Sequence, residues 1–190
     1  SDVYKRQEHL GMVSSGRRVG LTVLPMEKWA VYDPAIIGWR LDNDKTRGQQ
    51  VARLNELRLG IEPVAARLAA GNATAQQRAE LLRLAARLAE LESTPSPRVG
   101  EELETDLRFH TLILRASGNE MLAALAPSLV AMLKGKSVFG SRKRDPISGT
   151  TQLHMELARA IDAGLADAAE ETSRTILDRT RACLLYTSPS

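Results

Sequence analysis

Asp106 and His110 lie four residues apart in a stretch, residues 102–119, whose leucine spacing predicts a helix. The apolar stripe of this helix consists of Leu103, Leu107 and Leu114. The two polar side chains emerge on the same face, which should be buried. There they either satisfy each other as a hydrogen-bonded pair or supply oxygen and nitrogen ligands to a divalent cation. This helix by itself favours the pair, because i, i+4 spacing has many uses.

Two other polar residues also fall on apolar helix faces, Arg58 in a predicted helix over 47–70 and His154 in one over 150–163. Asp106, His110 and His154 could hold a divalent cation, and Arg58 could donate a bidentate hydrogen bond to the carboxylate of a ligand. Alternatively, Arg58 pairs with Glu62 four residues later, and Asp106 only orients His110. The sequence leaves both interpretations open.

The apolar periodicity predicts six helices in all, over 47–70, 74–92, 102–117, 120–139, 150–163 and 166–182. Pro63 is expected to kink the first helix. Thr74 and Gln77 have the spacing of a capping box, and Asn119 after Gly118 is typical of a helix start. Residues 140–149 are expected to form a basic loop that is solvated, and this interpretation is favoured over nucleic-acid binding because no aromatic residue is interleaved. The pattern predicts an all-α antiparallel bundle.

The segment before the bundle predicts a small two-stranded ribbon and a linker. Residues 12–13 and 21–23 suit strands, with a polar turn at Ser14–Gly16 and an arginine-bearing tip at Arg17 and Arg18. The tip is either an ordinary solvated hairpin or a DNA-contacting wing. Residues 26–45 suit a short helical linker whose tryptophans would anchor the ribbon to the bundle.

The two ends of the chain resemble translated sequencing adapter. The string GAT GTG TAT AAG AGA CAG encodes residues 2–7, and its reverse complement, read in another frame, encodes residues 183–188, CLLYTS. Residues 1–7 and 183–190 are therefore expected not to be native, and the native protein is expected to extend before Glu8. Cys183, the only cysteine, belongs to this part, so no disulfide or thiol chemistry is expected.

Composition sets broad limits on the function. The chain has 190 residues, 43% hydrophobic and 26% charged, which suits one soluble domain with a smaller appendage. Its longest apolar run, 121–133, contains Pro127 and Ser128 and is too short to span a bilayer. The net charge of +3 is spread along the helices, so charge alone does not indicate nucleic-acid binding.

The chain contains, in this order, the ribbon, the aromatic linker, and then the motifs NELRLGIEPVAARLAA, TDLRFHTLILRASGN and LHMELARAIDAG. In the order of these segments it resembles the FadR subfamily of GntR-type bacterial transcription regulators. The resemblance covers residues 8–182. It implies an N-terminal winged helix-turn-helix, of which residues 8–25 are the wing, a linker over 26–45, and a six- or seven-helix effector-binding FCD domain over 46–182. It also implies a cytoplasmic homodimer that binds operator DNA and responds to a small carboxylate. GMVSSGRRVGLTV then matches the wing, with Leu21 where threonine is commoner, and Arg17 and Arg18 would contact DNA.

The resemblance also implies a ligand set. Metal-binding members use one Asp and three His, of which Asp106, His110 and His154 match the first three, whereas Ile176 stands at the third histidine and cannot ligate. A Zn, Ni or Mn ion with three protein ligands is one expectation. The residues that would contact an effector are Arg58, Asp106, His110, Asn119 and His154. The linker, the run EPVAARLAAGNAT and the absent histidine are similar to a member that senses a sugar acid, which makes sugar acids the expected effector class.

Two other interpretations fit these polar core residues. One is an all-α metal-dependent, hydrolase-like enzyme in which Asp106, His110 and His154 activate water, although no general base is evident beside them. The other is a bundle without a ligand. Because most DNA contacts in the resembled family come from a recognition helix that this chain lacks, the chain as given is expected not to bind an operator specifically.

Overall fold

The computed structural model describes residues 2–94, 98–140 and 150–185. Within them the chain forms a two-stranded sheet and nine helices. The helices are α1 (Asp2–His9), α2 (Pro34–Asp42), α3 (Asp44–Asn72), α4 (Ala75–Ser93), α5 (Glu101–Ala116), α6 (Glu120–Ala124), α7 (Ala126–Gly140), α8 (Thr150–Asp162) and α9 (Ala166–Leu185). The strands are β1 (Val13–Gly16) and β2 (Gly20–Val23). The predicted helical bundle preceded by a ribbon is confirmed.

The ribbon is antiparallel, and its register pairs Val13 with Val23 and Gly16 with Gly20. The polar turn was predicted at Ser14–Gly16, but these residues belong to β1, so that placement is wrong. The chain reverses instead over residues 17–19, and Gly20, which follows the turn, has a φ of +74° that residues with a side chain rarely adopt. Arg17 and Arg18 therefore lie at the tip, and both are exposed.

The linker contains a short 3₁₀ turn (Met26–Lys28) and helix α2. Asp33 caps α2 by accepting a hydrogen bond from the backbone N–H of Ala35 at 2.8 Å. The tryptophans were predicted to be the anchors, and this is wrong for α2. Trp39 keeps 37% of its surface exposed, whereas Ile36 and Ile37 are fully buried. Branched aliphatic side chains on the inner face of α2 thus hold it against α3 and α7.

The bundle is organised around the 29-residue helix α3, which packs against α9, α5 and α8. Helix α4 covers α8 and α5 on another side. Alanines on α3 allow close approach of α9, and leucines on α4 and α5 fill the remaining volume; the core includes Ala65, Ala66, Ala69, Leu81, Leu84, Leu114 and Ile161. Among the described residues, no helix has the length and apolarity that crossing a membrane requires.

Several predicted helix ends are confirmed. Thr74 and Gln77 form the capping box, with backbone N–H to side-chain oxygen distances of 2.9 and 3.2 Å. Gly118 lies just after the end of α5 and has a φ of +73°. A Cβ atom there would lie 3.0 Å from the Asn72 side chain. Asn119 accepts hydrogen bonds from two backbone N–H groups at the start of α6.

The single helix predicted over 120–139 is wrong, because it is divided into α6 and α7 at Leu125. The physical reason is Pro127, which has no N–H to continue the hydrogen-bond ladder and is tolerated in the first turn of a new helix. Most of the predicted basic loop over 140–149 lies outside the described residues. Residues 2–7 are helical in α1, and their adapter origin stays a prediction.

Candidate metal and effector site

The candidate site lies where α3, α5 and α8 meet, and each helix contributes polar side chains. Helix α5 carries Asp106 and His110 one turn apart, and α8 carries His154. Both histidines are 4% exposed, which confirms that they face the core. The carboxylate of Asp106 stays 23% exposed, so the site keeps an opening toward solvent.

Three donor atoms form a nearly equilateral triangle in this site. Asp106 Oδ1 lies 3.5 Å from His110 Nε2 and 3.3 Å from His154 Nε2. The two imidazole nitrogens lie 3.4 Å apart. Helix spacing sets the Asp106–His110 edge, whereas the other two edges depend on how α3 and α4, which both contact α5 and α8, hold those two helices relative to each other. The structure thus brings His154 of α8 together with Asp106 and His110, which the sequence placed on one other helix.

The outer nitrogens of both rings have acceptors. His110 Nδ1 lies 2.8 Å from Glu62 Oε2, and His154 Nδ1 lies 2.8 Å from the backbone carbonyl oxygen of Thr150. Carboxylate and carbonyl oxygens only accept hydrogen bonds, so Nδ1 carries a proton in each ring. When the ring is neutral, its lone pair is then on Nε2, the nitrogen at the triangle.

Arg58 and Glu62 form a buried ion pair on α3, which is the alternative that the spacing had left open. The Arg58 guanidinium donates from Nε to Oε1 and from Nη2 to Oε2, the latter over 3.2 Å. Sequence reasoning considered Glu62 only as a partner of Arg58 and did not place it at the site. Its i, i+4 spacing from Arg58 was visible, but its contact with His110 joins helices far apart in the chain.

The fixed charges determine how these groups ionise. Burial alone would raise the pKa of Glu62, but the charges of Arg58 and His110 outweigh it and lower that pKa to about 2. Burial alone would lower the pKa of His110, but Glu62 and Asp106 outweigh it and raise that pKa to about 9. The two histidines likewise hold the pKa of Asp106 well below its usual range, despite its desolvation.

Phe109 fixes the ring orientations from the side. Its fully buried ring meets that of His154 edge-on, with centroids 5.0 Å apart and an interplanar angle of 68°. Its centroid is 5.7 Å from that of the His110 ring. An apolar wall beside the triangle limits the movement of both imidazoles.

Comparison with known proteins places this site in a family. The family model for the FCD domain matches residues 53–179, two thirds of the chain. The chain belongs to the FCD-domain family of GntR-type transcription regulators. Its FCD domain thus comprises α3–α9 almost entirely, and the candidate site lies inside it.

Two curated relatives of this FCD-domain protein are bacterial regulators. The chain is 27% identical to the galactonate operon transcriptional repressor of Escherichia coli K12 over 169 residues, which cover 87% of this chain and 71% of the relative. It is 28% identical to the uncharacterized HTH-type transcriptional regulator YieP of the same organism over 167 residues, which cover 88% of this chain and 70% of that protein.

Solved structures resemble the chain at lower identity. A Streptococcus agalactiae GntR protein matches 94% of this chain and 78% of its own, with a TM-score of 0.62 and 21% identity. E. coli McbR/YncC matches 98% of this chain and 83% of its own, with a TM-score of 0.66 and 16% identity. At these identities the likeness establishes the fold, including the ribbon and linker before the FCD domain.

Family membership decides between regulator and enzyme. FCD-domain proteins of the GntR type are transcription regulators and not enzymes, so the hydrolase-like interpretation of Asp106, His110 and His154 has no support.

The other predicted site residues are distributed over the molecule. The oxygen of Asn119 caps α6, and its contact with an effector stays a prediction. Arg58 donates hydrogen bonds to Glu62, so its contact with an effector stays a prediction too. Ile176, at the position expected for a further histidine, is buried in the hydrophobic core.

Proposed function

We propose that this FCD domain senses a small carboxylate, of the sugar-acid class, at a divalent cation held by Asp106, His110 and His154. The observation that carries the proposal is the triangle of three donor atoms with edges of 3.3, 3.4 and 3.5 Å. Two nitrogens and one carboxylate oxygen are a donor set that zinc, nickel and manganese accept.

The residues fit such a cation in spacing as well as chemistry. A tetrahedral ion with bonds of about 2.1 Å separates its ligands by about 3.4 Å, close to the edges of the triangle. Both histidines also have the outer hydrogen bond that ligating imidazoles normally make. Because Ile176 cannot ligate, three protein ligands would leave further positions open to water or to effector oxygens.

Two features support a carboxylate as the effector. A bound divalent cation supplies positive charge that carboxylate oxygens bind, and the exposure of Asp106 offers a way in. The name of the galactonate operon repressor supports the sugar-acid class. Asn119 and Arg58 are the further contacts we propose, and Arg58 would first have to share or leave Glu62.

We further propose that the effector acts by population shift in a homodimer. Helix α3, which carries Glu62, begins directly after the linker helix α2, with only Asn43 between them. A change at the site that tilts α3 would therefore alter how the linker packs, and with it the spacing of two ribbons. Arg17 and Arg18 at the ribbon tip are the proposed contacts with DNA phosphates or the minor groove.

Thermal melting tests the site. We expect Zn²⁺, Ni²⁺ or Mn²⁺ to raise the midpoint temperature of thermal unfolding. A panel of sugar acids that includes galactonate should raise this temperature further only when metal is present. His154→Gln should abolish both shifts. His9→Gln is the matched control, because His9 is exposed and remote in sequence from the triangle.

Three results would contradict the proposal. The metals could leave the midpoint unchanged, the acids could act equally with a chelator present, or His9→Gln could lose the response as fully as His154→Gln.

A further inference from the structure

The buried carboxylate of Glu62 has a use beyond its ion pair with Arg58. The geometry points to Glu62 as a positioning residue that holds His110 with Nδ1 protonated and Nε2 directed at Asp106 and His154. This inference rests on the proposed cation site and adds to it a residue from a third helix, α3.

The first step of the argument is that Glu62 is fixed in place. Its two oxygens receive two N–H groups of Arg58, and both side chains are almost completely buried. A carboxylate held on both oxygens cannot rotate without breaking a charge-assisted hydrogen bond. It therefore presents Oε2 in one direction.

The second step is that this direction selects one nitrogen of His110. Oε2 lies 2.8 Å from Nδ1, and an ionised carboxylate can only accept, so Nδ1 must donate. Nε2 lies on the opposite side of the ring, 3.4 Å from His154 Nε2. If Nδ1 lost its acceptor, the ring would be free to turn or to protonate Nε2, and one donor of the triangle would be lost.

The third step separates Glu62 from the ligands themselves. Its oxygen meets the outer nitrogen of the imidazole, so it orients His110 without facing the triangle. His154 has the same kind of support from the Thr150 carbonyl oxygen, which belongs to the backbone and which mutation cannot remove. Glu62 is thus the support in this site that a side-chain substitution can test.

A structural role for the Arg58–Glu62 pair is the competing explanation, and a double variant distinguishes the two. Replacing both members of a buried ion pair by apolar residues of similar volume is often neutral for stability. Arg58→Met with Glu62→Met should therefore keep the fold but remove the acceptor of His110. Glu56→Gln, an exposed site on the same helix, is the matched control.

Binding of Co²⁺ is the measurement, because its visible absorption depends on the number and geometry of its ligands. We expect the double variant to bind Co²⁺ about 10–100-fold more weakly than the wild type and with altered bands, as losses of such outer partners do. Glu56→Gln should match the wild type. Helical circular dichroism and the melting midpoint establish that the variants are folded.

Glu62→Gln provides a second variant if the double variant does not fold. An amide has one acceptor oxygen where Arg58 and His110 together need two, so we expect binding at least about 10-fold weaker. A folded double variant, or Glu62→Gln, that binds Co²⁺ with wild-type affinity and bands would overturn the role of Glu62 alone. A wild-type protein that binds no Co²⁺ would overturn the cation site and this role together.

Discussion

His110 is the residue on which the site depends, since it contacts acidic groups on both sides of its ring. Glu62 lies at Nδ1, and Asp106 lies 3.5 Å from Nε2. In the cation-free protein these carboxylates raise the pKa of His110 to about 9, so the ring is charged at neutral pH. Protons and a divalent cation therefore compete for Nε2, and binding of the cation should release a proton.

This charge predicts how the stability of the cation-free protein depends on pH. The folded pKa of His110 lies above its unfolded value of about 6.5, so its contribution is complete below that pH and is lost as pH rises through about 9. Glu62 acts at the other end, because its folded pKa of about 2 makes its contribution disappear as pH falls from about 4.5 toward 2. In chelator, the destabilisation by His110→Gln should be about 2–3 kcal/mol larger at pH 6 than at pH 10.

Urea unfolding at the two pH values measures this difference. His9→Gln, at an exposed position, should show nearly the same small effect at both. A destabilisation by His110→Gln that is constant with pH would contradict the charged state of His110.

At the scale of elements, one arginine joins the ends of two helices. Arg78, in the first turn of α4, donates to backbone carbonyl oxygens at the ends of α3 and α8. The last carbonyls of a helix lack a partner within it, and a cation suits the negative end of each helix dipole. The Ile161 carbonyl oxygen also accepts a hydrogen bond from the backbone N–H of Gly164. Helix α8 carries His154, so Arg78 helps to set the position of one corner of the triangle.

We expect Arg78→Met to destabilise the fold by about 2–3 kcal/mol, because several carbonyl oxygens, most of them partly buried, lose a charged donor at once. Arg83→Met, on the same helix, is the control. Arg83 is largely exposed, and within the described part of the chain its ion pair is with Glu80, so its loss should change stability by less than about 1 kcal/mol. Equal effects of the two substitutions in urea unfolding would refute the joining role of Arg78.

The cap of α6 is a second prediction at this scale. Asn119→Ala should destabilise the protein by about 1 kcal/mol, since two backbone N–H groups at the start of α6 lose their acceptor. Asn119→Asp keeps a side-chain oxygen there and should retain most of the stability. Thermal melting checks both, and an aspartate variant as unstable as the alanine variant would argue against the cap.

At the scale of the whole molecule, the ribbon and linker precede the FCD domain, and the proposed function gives them the role of connecting effector binding to DNA binding. We expect residues 8–182 alone to show no operator-specific band shift that responds to an effector, because the proposed DNA contacts of the ribbon, Arg17 and Arg18, would bind phosphates, which carry no sequence information directly. An electrophoretic assay with specific and scrambled operator checks this. Preferential, effector-sensitive retardation of the specific operator would contradict it.

In a longer form that includes a recognition helix, Arg17→Ala with Arg18→Ala should weaken binding to all DNA sequences alike. Each lost phosphate contact should also lower, by about one, the magnitude of the slope of the logarithm of the binding constant against the logarithm of the salt concentration. A variant with altered base preference and unchanged salt dependence would show that the ribbon tip reads bases instead.

Much of the fold was predictable because its determinants are local. The capping box at Thr74, the stop at Gly118 and the leucine stripe of α4 depend on neighbours within a few residues. The errors arose where local signals competed. The apolar run after Asn119 suggested one helix, but the missing N–H of Pro127 divides it, and the tryptophans of the linker suggested anchors where aliphatic residues are buried instead.

The sequence by itself determined which residues of the candidate site face inward, since helical periodicity places Asp106, His110, Arg58 and His154 on buried faces. The resemblance of its motifs to FCD-domain regulators was readable there as well. Only the tertiary structure decided which of these groups meet. Glu62, which pairs with Arg58 on its own helix, also meets His110 on α5, because contacts between helices depend on how α3, α5 and α8 rotate and slide against one another. Periodicity along one helix carries no information about that register, which the packing of the whole core sets.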